Sequence, residues 1–114
     1  QTMNCTVCIT DNDQVVAAAG AGKKDLHERY ISTEVEETLQ QRGQVLAGAD
    51  NKNFVNIAEG AAEYREEAIC PIISEGDVIG GVILLHKAEK RKFGELEQKV
   101  AMSAAGFLGK QMEQ

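Results

Sequence analysis

Apolar and polar residues follow two different periods along this chain. Cys5 to Thr10 and Gln14 to Ala19 each read as a strand. Asp11-Asn12-Asp13 lies between them, and such side chains bond their own backbone and tolerate left-handed conformations, so residues 2–20 are predicted to form a β-hairpin. A second hairpin is predicted from Ile69 to Ser74 and Val78 to His86, closed by Glu75-Gly76-Asp77. Its second strand does not alternate. Val78, Gly80, Val82 and Leu84 share one face, and Ile79, Gly81, Ile83 and Leu85 share the other. Both faces are apolar, which is the signature of a central strand covered on both sides. The Gly80-Gly81 pair permits a bulge or a close approach by another element.

The helical period appears three times. Leu26 to Ile31 is a short helical turn after a loop containing Gly20, Gly22, Lys23 and Lys24. Thr33 followed by Glu36 spells a capping box and predicts a helix over 34–42, with Val35 and Leu39 inward and Gly43 ending it. Gly94 to Gln114 predicts a helix of about five to six turns. Leu96, Val100, Ala104 and Phe107 fall in one quadrant and are expected to lie on the sheet. Ala101, Ala105, Leu108 and Met112 form a flanking stripe, whose small residues would let a second copy approach, so a homo-oligomer through this helix is expected. Val45 to Ala47 reads as a short strand, and residues 48–67 as mostly irregular.

Composition narrows the function classes. The 114 residues suffice for one domain, and with 43% hydrophobic residues, 4% aromatics and no Trp the core must be built from Val, Ile, Leu and Ala. No apolar run approaches a membrane span and no signal-peptide pattern opens the chain, so a cytoplasmic location without membrane contact is expected. The chain starts at Gln1 without an initiator Met and is expected to be a fragment or a processed product. A net charge of −6 repels phosphate backbones, so this segment is not expected to bind nucleic acid itself.

The residues that could carry chemistry have structural readings. Cys5 and Cys8 spell C-x-x-C, but on a strand a separation of three places them on opposite faces. They cannot share a zinc ion there, and His27 and His86 are not at ligand spacing, so no metal is expected. Cys5, Cys8 and Cys70 all fall in predicted strands, where burial raises a thiol's pKa and makes it inert. Glu63, Glu66 and Glu67 are expected in a solvated acidic loop, since the calcium-loop pattern is absent. No Ser-His-Asp set or P-loop appears, and no enzyme activity is expected. No cofactor is indicated.

The element "CPIISEGDVIGGVILL" resembles the late hairpin of GAF domains: a strand ending in Pro-Ile, a turn with Gly, then Ile-Gly and a hydrophobic strand. "KKDLHERYIS" and "AAGFLGKQMEQ" narrow the resemblance to the C-terminal domains of the stage V sporulation protein T family, over about Thr6 to Gln114. The resemblance implies an α+β fold with a central antiparallel sheet of about six strands and helices on both faces. It implies one regulatory domain over residues 1–114 of a sporulation transcription regulator, located in the forespore, with DNA bound only through a separate N-terminal AbrB-like domain absent from this chain. A helix normally leads into the first strand in such proteins, and here the chain opens almost directly on that strand. GAF domains bind a small molecule beside the irregular middle region, or simply dimerise. A pocket needs a few polar groups in an apolar hollow, and Thr10, Tyr30, Ser32, Phe54 and Ser74 are the candidates. The alternatives are a purely structural dimerisation module without ligand, and a GAF-type free methionine sulfoxide reductase, whose cysteines would be needed in mobile loops.

Overall fold

The computed structural model describes residues 6–20, 26–48, 54–55, 57–58, 64–86 and 93–112. Five strands, β1 (Thr6–Thr10), β2 (Val15–Ala19), β3 (Val45–Gly48), β4 (Glu66–Ser74) and β5 (Asp77–His86), form one antiparallel sheet in the order β2-β1-β5-β4-β3. Helix α1 (Thr33–Gln40) covers one face and helix α2 (Glu95–Met112) the other. The α+β architecture with helices on both faces matches the expectation, with five strands among the described residues where about six were expected.

The strand that is apolar on both faces is central, paired with β1 and β4. Ile83 and Leu85 join the core under α1, and Val82 and Leu84 join the core under α2. The two glycines let neighbours come close. A Cβ on Gly80 would collide with the Thr10 carbonyl, and one on Gly81 would lie 2.7 Å from Leu39 Cδ2 of α1. The β4–β5 hairpin closes through Glu75 and Gly76, both at positive φ (52° and 86°), the twist-matched two-residue turn. In the first hairpin Asp11 Oδ1 accepts from the amides of Asp13 and Gln14, both at 2.7 Å.

Three expectations are corrected. Ser32, not Thr33, caps α1: its Oγ accepts from the Val35 amide at 3.1 Å. At the other end the left-handed residue is Arg42 (φ 60°), one position before Gly43. Its amide donates to Leu39 O and that of Gly43 to Thr38 O, both at 2.9 Å, which is a Schellman closure. The Arg42 guanidinium also donates to the Gly76 carbonyl, tying this closure to the β4–β5 turn.

The second correction concerns α2. Ala101, Ala105 and Gly109 face the sheet, while Leu96 and Phe107 are 62% and 63% exposed. The physical reason is depth. A Cβ on Gly109 would meet the Ile73 carbonyl, so the helix backbone sits almost on β4, and only its small-residue stripe fits there. Of the stripe expected to contact a second copy, Ala101 and Ala105 are therefore buried in this chain's own core, Leu108 is half-buried and Met112 is exposed. Val100 and Ala104, expected on the sheet, only flank that core.

The third concerns the acidic segment. β4 begins at Glu66, so Glu66 and Glu67 are buried strand residues rather than parts of a solvated loop. Glu66 Oε1 accepts from the Phe93 amide at 3.0 Å and Glu97 Oε1 from that of Gly94 at 2.8 Å, which fixes the entry of α2. Glu63 and Cys5 lie outside the described residues.

Candidate functional site

The α1 face of the sheet is built in rows by the strand register. Thr6, Leu85, Glu67 and Ala47 pair across β1, β5, β4 and β3, and the next row is Cys8, Ile83, Ile69 and Val45. The row after that holds Thr10, Gly81 and Pro71. Two-residue alternation thus puts Glu67 on the same face as Ile69, under a layer that contains Val35, Leu39, Ile57 and Tyr64.

Glu67 is wholly buried. Its Oε2 accepts a hydrogen bond of 2.8 Å from the Val55 amide, and its buried Oε1 has no hydrogen-bond partner. Burial pushes its carboxyl up to about 8; the Val55 bond pulls the other way, and the Glu34 carboxylate adds a further push upward. Near neutral pH the group is therefore mostly a protonated acid, in the range where it can gain or lose a proton at small cost.

Val55 also borders a cleft. A hollow of about 420 Å³ opens between the end of α1 and the edge strand β3, with Thr38, Gln41 and Gln44 as polar walls and Val45, Leu46 and Val55 as apolar ones. Such a volume suits a small molecule. A second hollow of about 280 Å³ is bordered by Arg42, Cys70, Pro71, Ile73 and Met102. Burial raises the Cys70 thiol, and pushes Cys8 up to about 12, so neither is poised as a nucleophile. Among the described residues no three His, Cys, Asp or Glu come together as a metal site. No helix there is long and apolar enough to cross a membrane.

The five residues selected from sequence do not form one site. Thr10 is buried on the α1 face with an unpartnered Oγ1. It lies four residues along β1 from the Thr6 row, about 13 Å at the usual strand rise. Ser74 is buried beside the β4–β5 turn. Ser32 is occupied in capping α1. Tyr30 is 64% exposed and bridges to Gln14 at the start of the β2 region. Phe54 alone sits beside the Glu67 cluster, through its neighbour Val55. Glu67 was missed because its acidic surroundings resemble a loop. The available signal was its spacing from Ile69, which continues the buried face of a strand.

A family model described as stage V sporulation protein T C-terminal, transcription factor, matches residues 1–113. Stage V sporulation protein T of Bacillus subtilis (strain 168) is 39% identical over 110 residues, which cover 96% of this chain and 60% of that protein. The chain thus spans three-fifths of its relative's length. Among solved structures, the cyanobacteriochrome receptor PixJ superposes with a TM-score of 0.73 at 16% identity, covering 99% of this chain and 85% of that one. The type II free methionine-R-sulfoxide reductase from Thermoplasma acidophilum superposes at 0.66 with 13% identity, covering 92% and 76%. At such identities the likeness establishes the fold, which is that of GAF domains.

Proposed function

The chain belongs to the stage V sporulation protein T C-terminal family of transcription factors, and from that premise we propose that residues 1–114 are the regulatory GAF domain of a sporulation transcription regulator. The domain controls a separate N-terminal DNA-binding domain, in the bacterial cytoplasm of the forespore, and is not itself an enzyme. The observation that carries this reading is the family match over residues 1–113. The net charge of −6 supports placing DNA contact elsewhere in the protein. Among the described residues, the thiols support a non-catalytic role: the reductase neighbour shares the fold, but Cys8 and Cys70 are buried in strands with raised pKa values.

Control can act through two surfaces. One is the α1 face, where the cleft beside Glu67 offers a place to sense a small molecule. The other is α2, whose large apolar residues Leu96 and Phe107 point away from the sheet and support self-association. Met112 and the half-buried Leu108 remain available to that contact, whereas Ala101 and Ala105 do not. A gel shift with the isolated chain at about 0.1 M salt, where screening still permits phosphate contacts, tests the division of labour. No shift is expected; a sub-micromolar shift would overturn it.

A further inference from the structure

We propose that Glu67 is the anchor for a small molecule carrying a primary ammonium group, taken up on the α1 face through the cleft between α1 and β3. The proposal rests on the reading of this domain as a sensor, and it names the chemistry sensed.

Three observations converge on it. First, the carboxyl is oriented but incomplete. The Val55 amide holds Oε2 at 2.8 Å, while Oε1 is buried without a partner. A buried polar atom in that condition is costly to the fold, so a native strand position that keeps it invites a functional explanation. Secondly, the local charge selects the sign of the ligand. Among the described residues, the charged group acting on Glu67 is another carboxylate, Glu34 at the start of α1. A carboxylate or phosphate would meet two acids there. A neutral carbonyl could accept from the protonated acid, but it would gain nothing from that negative field. An ammonium group gains from it, and pairs with Oε1 in a setting where charge-assisted bonds are strong. Thirdly, access and anchor share a residue. Val55 borders the cleft and its amide donates to Glu67, so the carboxyl, though not itself part of the lining, is one hydrogen bond from a wall residue. Val45, on the α1 face, offers an apolar surface for an alkyl chain, and Thr38 and Gln41 offer hydrogen bonds at the rim.

The proton balance is simple. Before binding, Glu67 holds its proton near neutral pH because burial raises its pKa. The ammonium pairs with the ionised form, so that proton passes to the buffer. Apart from that proton transfer from the carboxyl to the buffer base, no covalent bond forms or breaks.

The test uses the 114-residue chain and n-butylammonium chloride as the probe, with n-butanol and sodium butyrate at equal concentration and ionic strength as controls. Butylammonium at about 10 mM, about tenfold above a millimolar Kd, is expected to raise the unfolding temperature by a few degrees. Butanol and butyrate are expected to leave it unchanged. Glu67→Gln keeps the acceptor for Val55 and should abolish the response. Val45→Phe, which adds bulk at the cleft wall and leaves the carboxyl in place, should weaken binding at least about tenfold. Calorimetry at pH 7 in phosphate and in Tris should differ by the heat of nearly one proton released per ammonium bound. An equal response to butanol, or one that persists in Glu67→Gln, would overturn the proposal. So would no response to any of the three, which would mean that solvent completes Oε1. Those outcomes would leave the regulatory reading standing, because it is judged by DNA binding and not by any ligand.

Discussion

Replacing Glu67 with glutamine should remove a pH-dependent weakness built into the sheet. The wild-type carboxyl titrates near 4.5 in the unfolded chain and near 8 in the folded one. A folded acid with a raised pKa binds its proton more tightly than the unfolded chain does. The stability that this group contributes is therefore greatest below about pH 4.5 and declines as pH rises to about 8, above which both states are ionised and the loss is complete. Each pKa unit corresponds to about 1.4 kcal/mol, so the full loss is on the order of 5 kcal/mol, and about 3 kcal/mol of it has accumulated by pH 7. Glutamine cannot ionise and keeps a carbonyl for the Val55 amide. Its buried amide nitrogen costs about 1–3 kcal/mol if unpaired, but that cost does not change with pH. The slope, not the offset, is thus the test. Urea unfolding of both proteins at pH 5, 6, 7 and 8, each at about 25 °C, should show the variant gaining on the wild type as pH rises. Titrating groups that do not interact with Glu67 cancel in the difference; Glu34, which does, contributes through its coupling to Glu67. A stability difference that stays constant over this range would refute the assignment of Glu67 as a buried acid held protonated by the fold.

The other predictions concern packing, thiols and assembly. Gly80→Ala should cost about 3 kcal/mol by driving a methyl into the Thr10 carbonyl, while Gly81→Ala should cost nearer 1 kcal/mol because the tip of Leu39 can yield; thermal unfolding orders the two. Cys8→Ala should lose about 1–2 kcal/mol to a cavity. A thiol pushed up to about 12 should also resist a thiol reagent at neutral pH until the protein unfolds, and free methionine sulfoxide with a thiol reductant should show no turnover. Phe107→Glu, on the exposed side of α2, should lower the mass found by sedimentation equilibrium without changing the circular dichroism, whereas Ala105→Glu should unfold the chain by burying a charge against β4. An unchanged mass for a folded Phe107→Glu protein would show that this stripe is not the contact.

Strand periods carried much of the fold in legible form. β5 announced its central place because residues of both parities are apolar, and its glycines announced the close approach of Thr10 and Leu39. The orientation of α2 was not legible in the same way. Apolar residues occupy more than half of its circumference, so hydrophobicity alone does not choose a face. Volume chooses it: contact with the Ile73 backbone requires Gly109, and Ala101 and Ala105 follow at four-residue spacing. Arg42 was hidden by a conformational preference, since glycine is the ordinary left-handed closure and Gly43 stands next to it. Glu67 was hidden by composition. Its acidic neighbourhood reads as solvated, and only the alternation with Ile69 places it inside. Four of the five sequence-chosen pocket residues are dispersed because each was selected by type. The register decides which types share a row.

The claim that matters most is that this domain governs DNA binding located elsewhere. The direct test is the operator affinity of the full-length regulator beside a version that ends just before Thr6, measured by fluorescence anisotropy at equal salt. The account predicts that the truncated protein still binds DNA, but at least about tenfold more weakly, a loss of about 1.4 kcal/mol in binding free energy, and that the isolated 114-residue chain does not bind at all. Identical affinity with and without the domain would contradict it.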